Sequence, residues 1–322
     1  MFTNKTCVIV LDIGGTTLKS TLIPVVSNST IPKECFECVP FNSQGSAEEI
    51  IGSLVKALET MFQKARNLGL KILGIGVSTP GPFDFENGIS LMKHKFKFET
   101  IYGINLKREF IQKLKLSSHF PILFENDAHA FLIGESRYGA VKGYNRCIGL
   151  TIGTGVGSAF MMDNHILTND SSIPPNGAIW CLQYGGSIVD EIISRRGFLA
   201  LYKNLGGKEY DKIDVKEIAS MAIGGDEISL KTFREFGGTI GKILLPIAKK
   251  FEAECIVFGG QISKSFSLFG KYIEKELELI TSLKKISAAT QIDLAPLYGV
   301  AERMINENTS GISHPIGIKE GL

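Results

Sequence analysis

Two stretches of this chain share one layout: an apolar strand, a turn of glycine and threonine, and a second apolar strand. They are VIVLDIGGTTLKSTLI at residues 8–23 and IGLTIGTGVGSAFMM at residues 148–162. A short apolar run bounded by glycines reads as a buried strand, and two such runs across a tight turn read as a hairpin. The segments between the hairpins carry helical periodicity instead. In SAEEIIGSLVKALETMFQKARNLG, Ser46 and Glu49 form a capping box, apolar residues recur at 50, 51, 54, 55, 58, 61, 62 and 65, and Gly69 ends the run. KILGIGVSTPGP reads as a strand ending in a Gly/Pro loop, PILFEN as a short buried strand, and DAHAFLIGESRYGA as a helix starting at Asp127. ISLKTFREFGGTIGKILLPIAKKF reads as the longest helix despite its glycines, and residues 308–322 lack periodicity. The chain is therefore expected to fold as two α/β halves, each opening on a strand, a glycine turn and a strand.

Composition excludes several classes. With 35 basic against 33 acidic residues the net charge is +2, which is no electrostatic footprint for nucleic acid or an anionic membrane. No apolar run approaches the roughly 20 residues of a membrane span. The apolar start runs into Asp12 without a small-residue cleavage site, so it reads as a first strand rather than a signal peptide. Six cysteines in 322 residues make no disulfide framework. Cys35 and Cys38 form one CxxC, read either as a redox pair or half a zinc site, or as two positions of a strand. A reduced, cytoplasmic protein is expected.

The glycine turns raise a chemical question, because the first begins with an acid. Glycine lets an anion approach backbone N–H groups closely, and successive amides form an anion-binding concavity. Asp12 beside such a concavity makes sense if a divalent cation lies between carboxylate and phosphate, so Asp12 reads as a Mg²⁺ ligand; the alternative is a plain turn residue. Other nucleotide motifs fail. Every Gly-Lys pair is followed by Glu, Ile or Tyr, so no GxxxxGK[ST] exists, and the third glycine of GTGVGS comes one place too early for GxGxxG. In FENDAHAFLIGE, Asn126 and Asp127 sit where a strand meets a helix. Asp127 there is either a helix cap or a general base for a substrate hydroxyl. Phosphoryl transfer tolerates so weak a base, because its loose transition state needs the proton removed late.

These motifs together resemble the ROK family (repressors, open reading frames and sugar kinases) of the actin/hexokinase ATPase superfamily. LDIGGTTLKSTLI is similar to the family's first phosphate motif and GIGVSTPGPFD to its sugar-side loop. ENDAHAFLIGE is similar to the catalytic segment, LTIGTGVGSAF to the second phosphate motif, and IVFGGQIS to the adenosine-side glycines. The resemblance implies two ribonuclease-H-like α/β domains with an interdomain cleft. The N-terminal domain would span residues 1–124, completed by a C-terminal helix near 298–307, and the larger C-terminal domain residues 125–322. It implies glucokinase-like phosphorylation of a hexose or N-acetylhexosamine by ATP with Mg²⁺, in a cytoplasmic homodimer. Asp127 would be the base, and Asn126 and Gly81 sugar-side residues. Asp12 would hold Mg²⁺. Gly14, Gly15, Thr16, Lys19, Thr154, Gly155, Gly259 and Gly260 would meet the nucleotide.

The chain also departs from the family pattern. Typical members carry ExGH and a CxCGxxGC zinc motif, where this chain reads PPNGAIWCLQYGGSIVDEIISRRG. The Glu and His are missing and Cys181 alone survives, so no structural zinc is expected. Asp190 precedes Ser194 at the spacing of the family's Glu-to-Ser pair, making Asp190 a candidate sugar ligand with Glu191 as its rival. Trp180 is placed near the lost His, for stacking on a sugar or for the core. His129 replaces a common Asn and is expected beside the site. Three alternatives stay open: polyphosphate as donor, a sugar-sensing regulator, and a pseudokinase. Repressors of the family carry a helix-turn-helix before the first phosphate motif; only about ten residues precede it here, so a DNA-binding role is not expected.

Overall fold

Strand β1 (Thr6–Ile13) organises the first half of the chain, because Cys7 through Leu11 are fully buried and apolar side chains must cover both of its faces. Strands β2 (Thr17–Pro24) and β3 (Glu37–Pro40) continue antiparallel from one side of β1. Helix α1 (Ala47–Asn67) follows, and β4 (Lys71–Thr79) pairs in parallel with β1 on its other side. The structure is a computed structural model that describes residues 5–25, 33–93, 97–208 and 212–309.

The capping box read from Ser46 and Glu49 forms: the Ser46 hydroxyl accepts from the Glu49 N–H at 3.2 Å, and the Glu49 carboxylate accepts from the Ser46 N–H at 2.8 Å. The helix buries Ile50, Ile51, Leu54, Val55, Leu58, Met61 and Ala65. Each large side chain among these contributes roughly 1.5–3 kcal/mol of transfer free energy. Two short strands, β5 (Phe83–Asp84) and β6 (Ile89–Ser90), pair after the Gly/Pro loop. Helix α2 (Leu106–Lys113) then leads to β7 (Ile122–Asn126), which joins β4 in parallel and completes the order β3-β2-β1-β4-β7.

Helix α3 (Asp127–Tyr138) leads into the second half. There β8 (Arg146–Ile152), β9 (Val156–Met162) and β10 (His165–Leu167) run antiparallel in turn. After the small hairpin β11 (Gln183–Tyr184) and β12 (Ser187–Ile188) come α4 (Val189–Ile193), α5 (Arg195–Asn204), α6 (Val215–Ile223) and α7 (Glu227–Phe251). Helix α7 tolerates its glycines because they permit close packing: a Cβ on Gly241 would lie 2.6 Å from Glu276, and one on Gly237 would collide with Phe269. Strand β13 (Cys255–Gly259), helix α8 (Phe266–Leu277), strand β14 (Lys285–Ala288) and helix α9 (Ala295–Thr309) finish the described chain. The second sheet has the order β10-β9-β8-β13-β14, with β13 parallel to both β8 and β14. The antiparallel and parallel pairings thus repeat those of the first sheet.

Each sheet has its own hydrophobic cluster. The chain divides into a first unit up to Gly134 that resumes at Pro296, and a second unit of Glu135–Ala295. The boundary drawn from sequence at 124/125 therefore moves beyond α3's middle. Strand β7 is a member of the first sheet, register Ile75↔Ile122 through Thr79↔Asn126, so it carries Asn126 and Asp127 with it. Of the aperiodic tail, Asn308 lies in α9, and residues 310–322 fall outside the described residues.

Candidate active site

Parallel strands align their carboxyl ends, and in open α/β sheets ligands bind at that edge. In the first unit, β1, β4 and β7 bring Asp12, Ser78 and Asn126 there: Asp12 pairs with Ser78 in register, and Thr79 with Asn126. The Asp12 carboxylate accepts from the Ser78 hydroxyl at 2.8 Å, and its other oxygen lies 3.8 Å from the Lys19 ammonium on β2. Lys19 is thus placed by register, since it faces Asp12 across the hairpin. The turn between them is closed by the Gly14 N–H donating to the Thr17 carbonyl at 2.9 Å, with Gly15 half-buried and Thr16 exposed.

Asp127 is the first residue of α3, as expected, but it does not cap the helix alone. The Asn126 side-chain oxygen accepts from the N–H groups of Ala128 at 3.0 Å and His129 at 3.2 Å. That capping role fixes the Asn126 amide, whose Nδ2 lies 3.9 Å from where a Cβ on Gly81 would stand. Asn126 and Gly81 are brought together, beside Asp127. Burial pushes the Asp127 carboxyl above the ordinary carboxylate range; the Lys97 charge, the Ala128 N–H and the His129 charge oppose the rise without cancelling it. A carboxylate raised in this way is a better proton acceptor than one in water.

Behind Asp127 lies a network that the sequence did not suggest. Glu125 accepts from the Asn126 N–H at 2.9 Å, contacts His129 Nδ1 at 3.1 Å, and pairs with Arg303 of α9 at 3.1 Å. Burial pushes the Glu125 carboxyl up, but the His129 hydrogen bond and the charges of His129 and Arg303 outweigh it and hold the group below its usual range. His129 thus faces Glu125, next to the site.

The second unit repeats the turn with different braces. The Gly153 N–H donates to the Gly155 carbonyl at 2.9 Å, leaving Thr154 exposed at the tip. Asp190, read from sequence as a candidate sugar ligand, is engaged in this turn. Its carboxylate accepts from the Val156 N–H at 2.7 Å and pairs with Arg196 at 2.7 Å. Arg196 also binds Glu191 at 2.8 Å and donates to the Thr154 carbonyl at 3.4 Å. No spacing in the sequence marks Arg196. Gly259 pairs with Thr151 in register, and Gly260 has a φ of 81°. A Cβ on Gly260 would strike the Ile152 backbone, so only glycine suits this position. Thr154, Gly155, Gly259 and Gly260 therefore gather at one edge of the second sheet.

A ROK family model matches residues 8–302. The chain belongs to the ROK family. It is 26% identical to a glucokinase of Thermotoga maritima over 94% of its own length and 98% of the relative's. A xylose repressor of Bacillus spizizenii is 27% identical over 64% of this chain and 53% of the repressor. The structure is similar to a ROK family glucokinase from Streptomyces griseus, solved with glucose and AMPPNP, with a TM-score of 0.74 and 22% identity over 92% of this chain and 98% of that one. Its two α/β units thus have the actin/hexokinase-like ATPase fold.

In this ROK protein the segment around Trp180 and Cys181 lies beside the second unit's core. Trp180 packs against the second unit's core, and its carbonyl accepts from the Asp190 N–H at 2.9 Å. Cys181 is exposed and free. Cys35 is buried in a 3-10 turn, whereas Cys38 is exposed on β3, so the CxxC spans a turn and a strand. Among the described residues no three His, Cys, Asp or Glu side chains converge as metal ligands, and no helix is long and apolar enough to cross a membrane.

Proposed function

We propose that this ROK protein transfers the γ-phosphoryl group of ATP to a hydroxyl of a hexose or N-acetylhexosamine, with Mg²⁺, as a glucokinase-like enzyme. The observation that carries this is the placement of Asp12 and Asp127 at the carboxyl ends of β1 and β7, flanking β4 in one sheet. Asn126 and Gly81 present donors and backbone to the sugar. Asp127 accepts the hydroxyl proton as the sugar oxygen bonds to phosphorus and the bond to the leaving ADP oxygen breaks. Because burial raises its pKa, that proton is taken up more readily than by an exposed carboxylate. Asp190 and Glu191, tied to Arg196, support the sugar side through the segment that carries them.

The Asp12 site suits Mg²⁺. This ion keeps several waters and needs only one or two carboxylates beside substrate phosphates. Asp12 offers one carboxylate oxygen bonded to Ser78 and a second 3.8 Å from Lys19. The bound ion would neutralise phosphate charge. Gly14, Gly15, Thr16 and Lys19 would meet phosphates in the first unit, and Thr154, Gly155, Gly259 and Gly260 the nucleotide in the second. Six free cysteines support a reducing, cytoplasmic setting; a homodimer and the lack of zinc rest on the family pattern.

A coupled ADP-release screen across hexoses and amino sugars tests the reading, with polyphosphate as a parallel donor. The second reading is a sugar-binding regulator without turnover, favoured by similarity to a xylose repressor. Sugar binding by calorimetry with no ADP or phosphate release from any pair would select it.

A further inference from the structure

A lysine that the Asp12–Asp127 reading does not use lies beside the first glycine turn. Three segments stack at the first glycine turn. The Phe41 N–H donates to the Thr16 carbonyl at 2.9 Å, docking residues 41–45 on the turn. The Phe98 N–H donates to the Ser43 carbonyl at 2.6 Å, and the Thr100 hydroxyl to the Gly45 carbonyl at 2.7 Å, docking residues 98–100 on that loop. Phe98 has a φ of 60°, is 1% exposed, and its ring centroid stands 6.0 Å from that of Phe41. A non-glycine residue in the left-handed region is uncommon and persists only where its surroundings hold it. The buried Phe98 is such an anchor, and it fixes where the preceding residue stands. That residue is Lys97. Its Cδ lies 4.0 Å from the place of a Cβ on Gly15, so its stem runs along the turn. Its charge also bears on the Asp127 carboxylate.

We propose that Lys97 is a further residue of the phosphoryl-transfer site, its ammonium group contacting the oxygens of the transferring phosphoryl group. This rests on the reading of the first unit as that site. The chemistry matches: the phosphoryl group carries its charge on peripheral oxygens, and a positioned cation stabilises it as bonding passes from ADP to the sugar oxygen. A lysine packs its aliphatic stem against the protein while its ammonium head reaches beyond, and here the stem lies against the turn at Gly15. The groups facing Asp127 and its neighbours are Lys97, His129, Glu125 and, from α9, Arg303 and Glu307. Among these Lys97 alone also borders the glycine turn. The bland alternative is a solvated lysine that merely covers the turn.

The test compares Lys97→Met and Lys97→Arg with the wild type, using turnover, ATP affinity by calorimetry and the melting temperature. In Lys97→Met we expect kcat to fall about 10²-fold with sugar KM little changed. ATP binding should weaken about tenfold at an unchanged melting temperature, and Lys97→Arg should recover most of both. The acid limb of the kcat profile should move to higher pH in Lys97→Met, because the base loses a nearby positive charge. Wild-type kcat and ATP affinity in a folded Lys97→Met protein would overturn the proposal. A wild type that binds ATP but phosphorylates no sugar would remove the kinase reading while leaving Lys97 to be judged by ATP affinity. A wild type that does neither would overturn both.

Discussion

The two glycine turns have the same strand framework and opposite chemistry. Aligned strand by strand, Leu11-Asp12-Ile13-Gly14 corresponds to Leu150-Thr151-Ile152-Gly153, and both sheets place the strand in the centre of the same order. In the first unit the strand ends in a carboxylate whose parallel neighbour is Ser78; in the second it ends in a hydroxyl whose parallel neighbour is Gly259. The first turn carries its own strand acid, with the Lys19 ammonium 3.8 Å away, and on the proposed reading a divalent cation would lie between that acid and phosphate. The second has no strand acid; its acid, Asp190, comes from α4 and is already neutralised by Arg196. On the proposed reading, one backbone layout serves a metal-and-transfer turn in the first unit and a nucleotide-holding turn in the second, told apart by the side chains at two aligned positions.

The largest expected effect breaks the comparison at those positions. Asp12→Ala should lower Mg²⁺-dependent turnover by on the order of 10³-fold, whereas Thr151→Ala should change it by less than about tenfold. Equal losses, read from rate against Mg²⁺ and nucleotide with melting temperature as control, would erase the distinction between the turns.

Next in size is Asp127→Asn, which should cut turnover by about 10²–10⁴ while sugar binding by calorimetry stays near the wild type. Activity of the wild type should fall as pH drops through the raised Asp127 pKa, and the limb should lie above the ordinary carboxylate range. Unchanged turnover in the variant would remove Asp127 from the mechanism.

On the other turn, Arg196→Ala should raise nucleotide KM about tenfold by releasing the Thr154 carbonyl, and sugar KM alongside it by releasing Asp190 and Glu191. Arg196 is half-exposed, so the stability loss should stay below about 1 kcal/mol. A large fall in melting temperature with unchanged nucleotide KM would recast this clasp as structural only.

The smallest effect sharpens the contrast between neighbouring acids. Glu125 has a lowered pKa, so it contributes stability above its ordinary value of 4.5 that is lost as pH falls through the folded pKa. Asp127 has a raised pKa, so its ionised form costs stability at neutral pH. Glu125→Gln should therefore lower stability by about 1–3 kcal/mol at pH 7, and Asp127→Asn should raise the melting temperature slightly. Melts from pH 3 to 8 check both signs, and a stabilised Glu125→Gln protein would contradict the assignment.

Local signals were legible because they are local. The Ser46/Glu49 box and the apolar spacing of α1 lie within one helix, and both glycine turns lie within one hairpin. The start of α3 at Asp127 follows from a strand meeting a helix. Glu125–Arg303, Asp190–Val156 and Lys97 beside Gly15 join residues far apart in the chain, and neither periodicity nor capping rules reach across such distances. The 124/125 boundary failed for the same reason: β7 reads alike whichever sheet receives it.

What the amino-acid sequence determined by itself is the pair of strand–turn–strand units, the acid at the end of the first strand and the family they belong to. Glycine, β-branched runs and caps act through the backbone of their own neighbourhood, so their meaning survives without a fold. Tertiary structure alone decided the company each charge keeps: Asp12 with Ser78 and Lys19, Glu125 with His129 and Arg303, and Asp190 with Arg196. Burial and the distance between charges set the behaviour of an ionisable group, and both exist only once the sheets have formed.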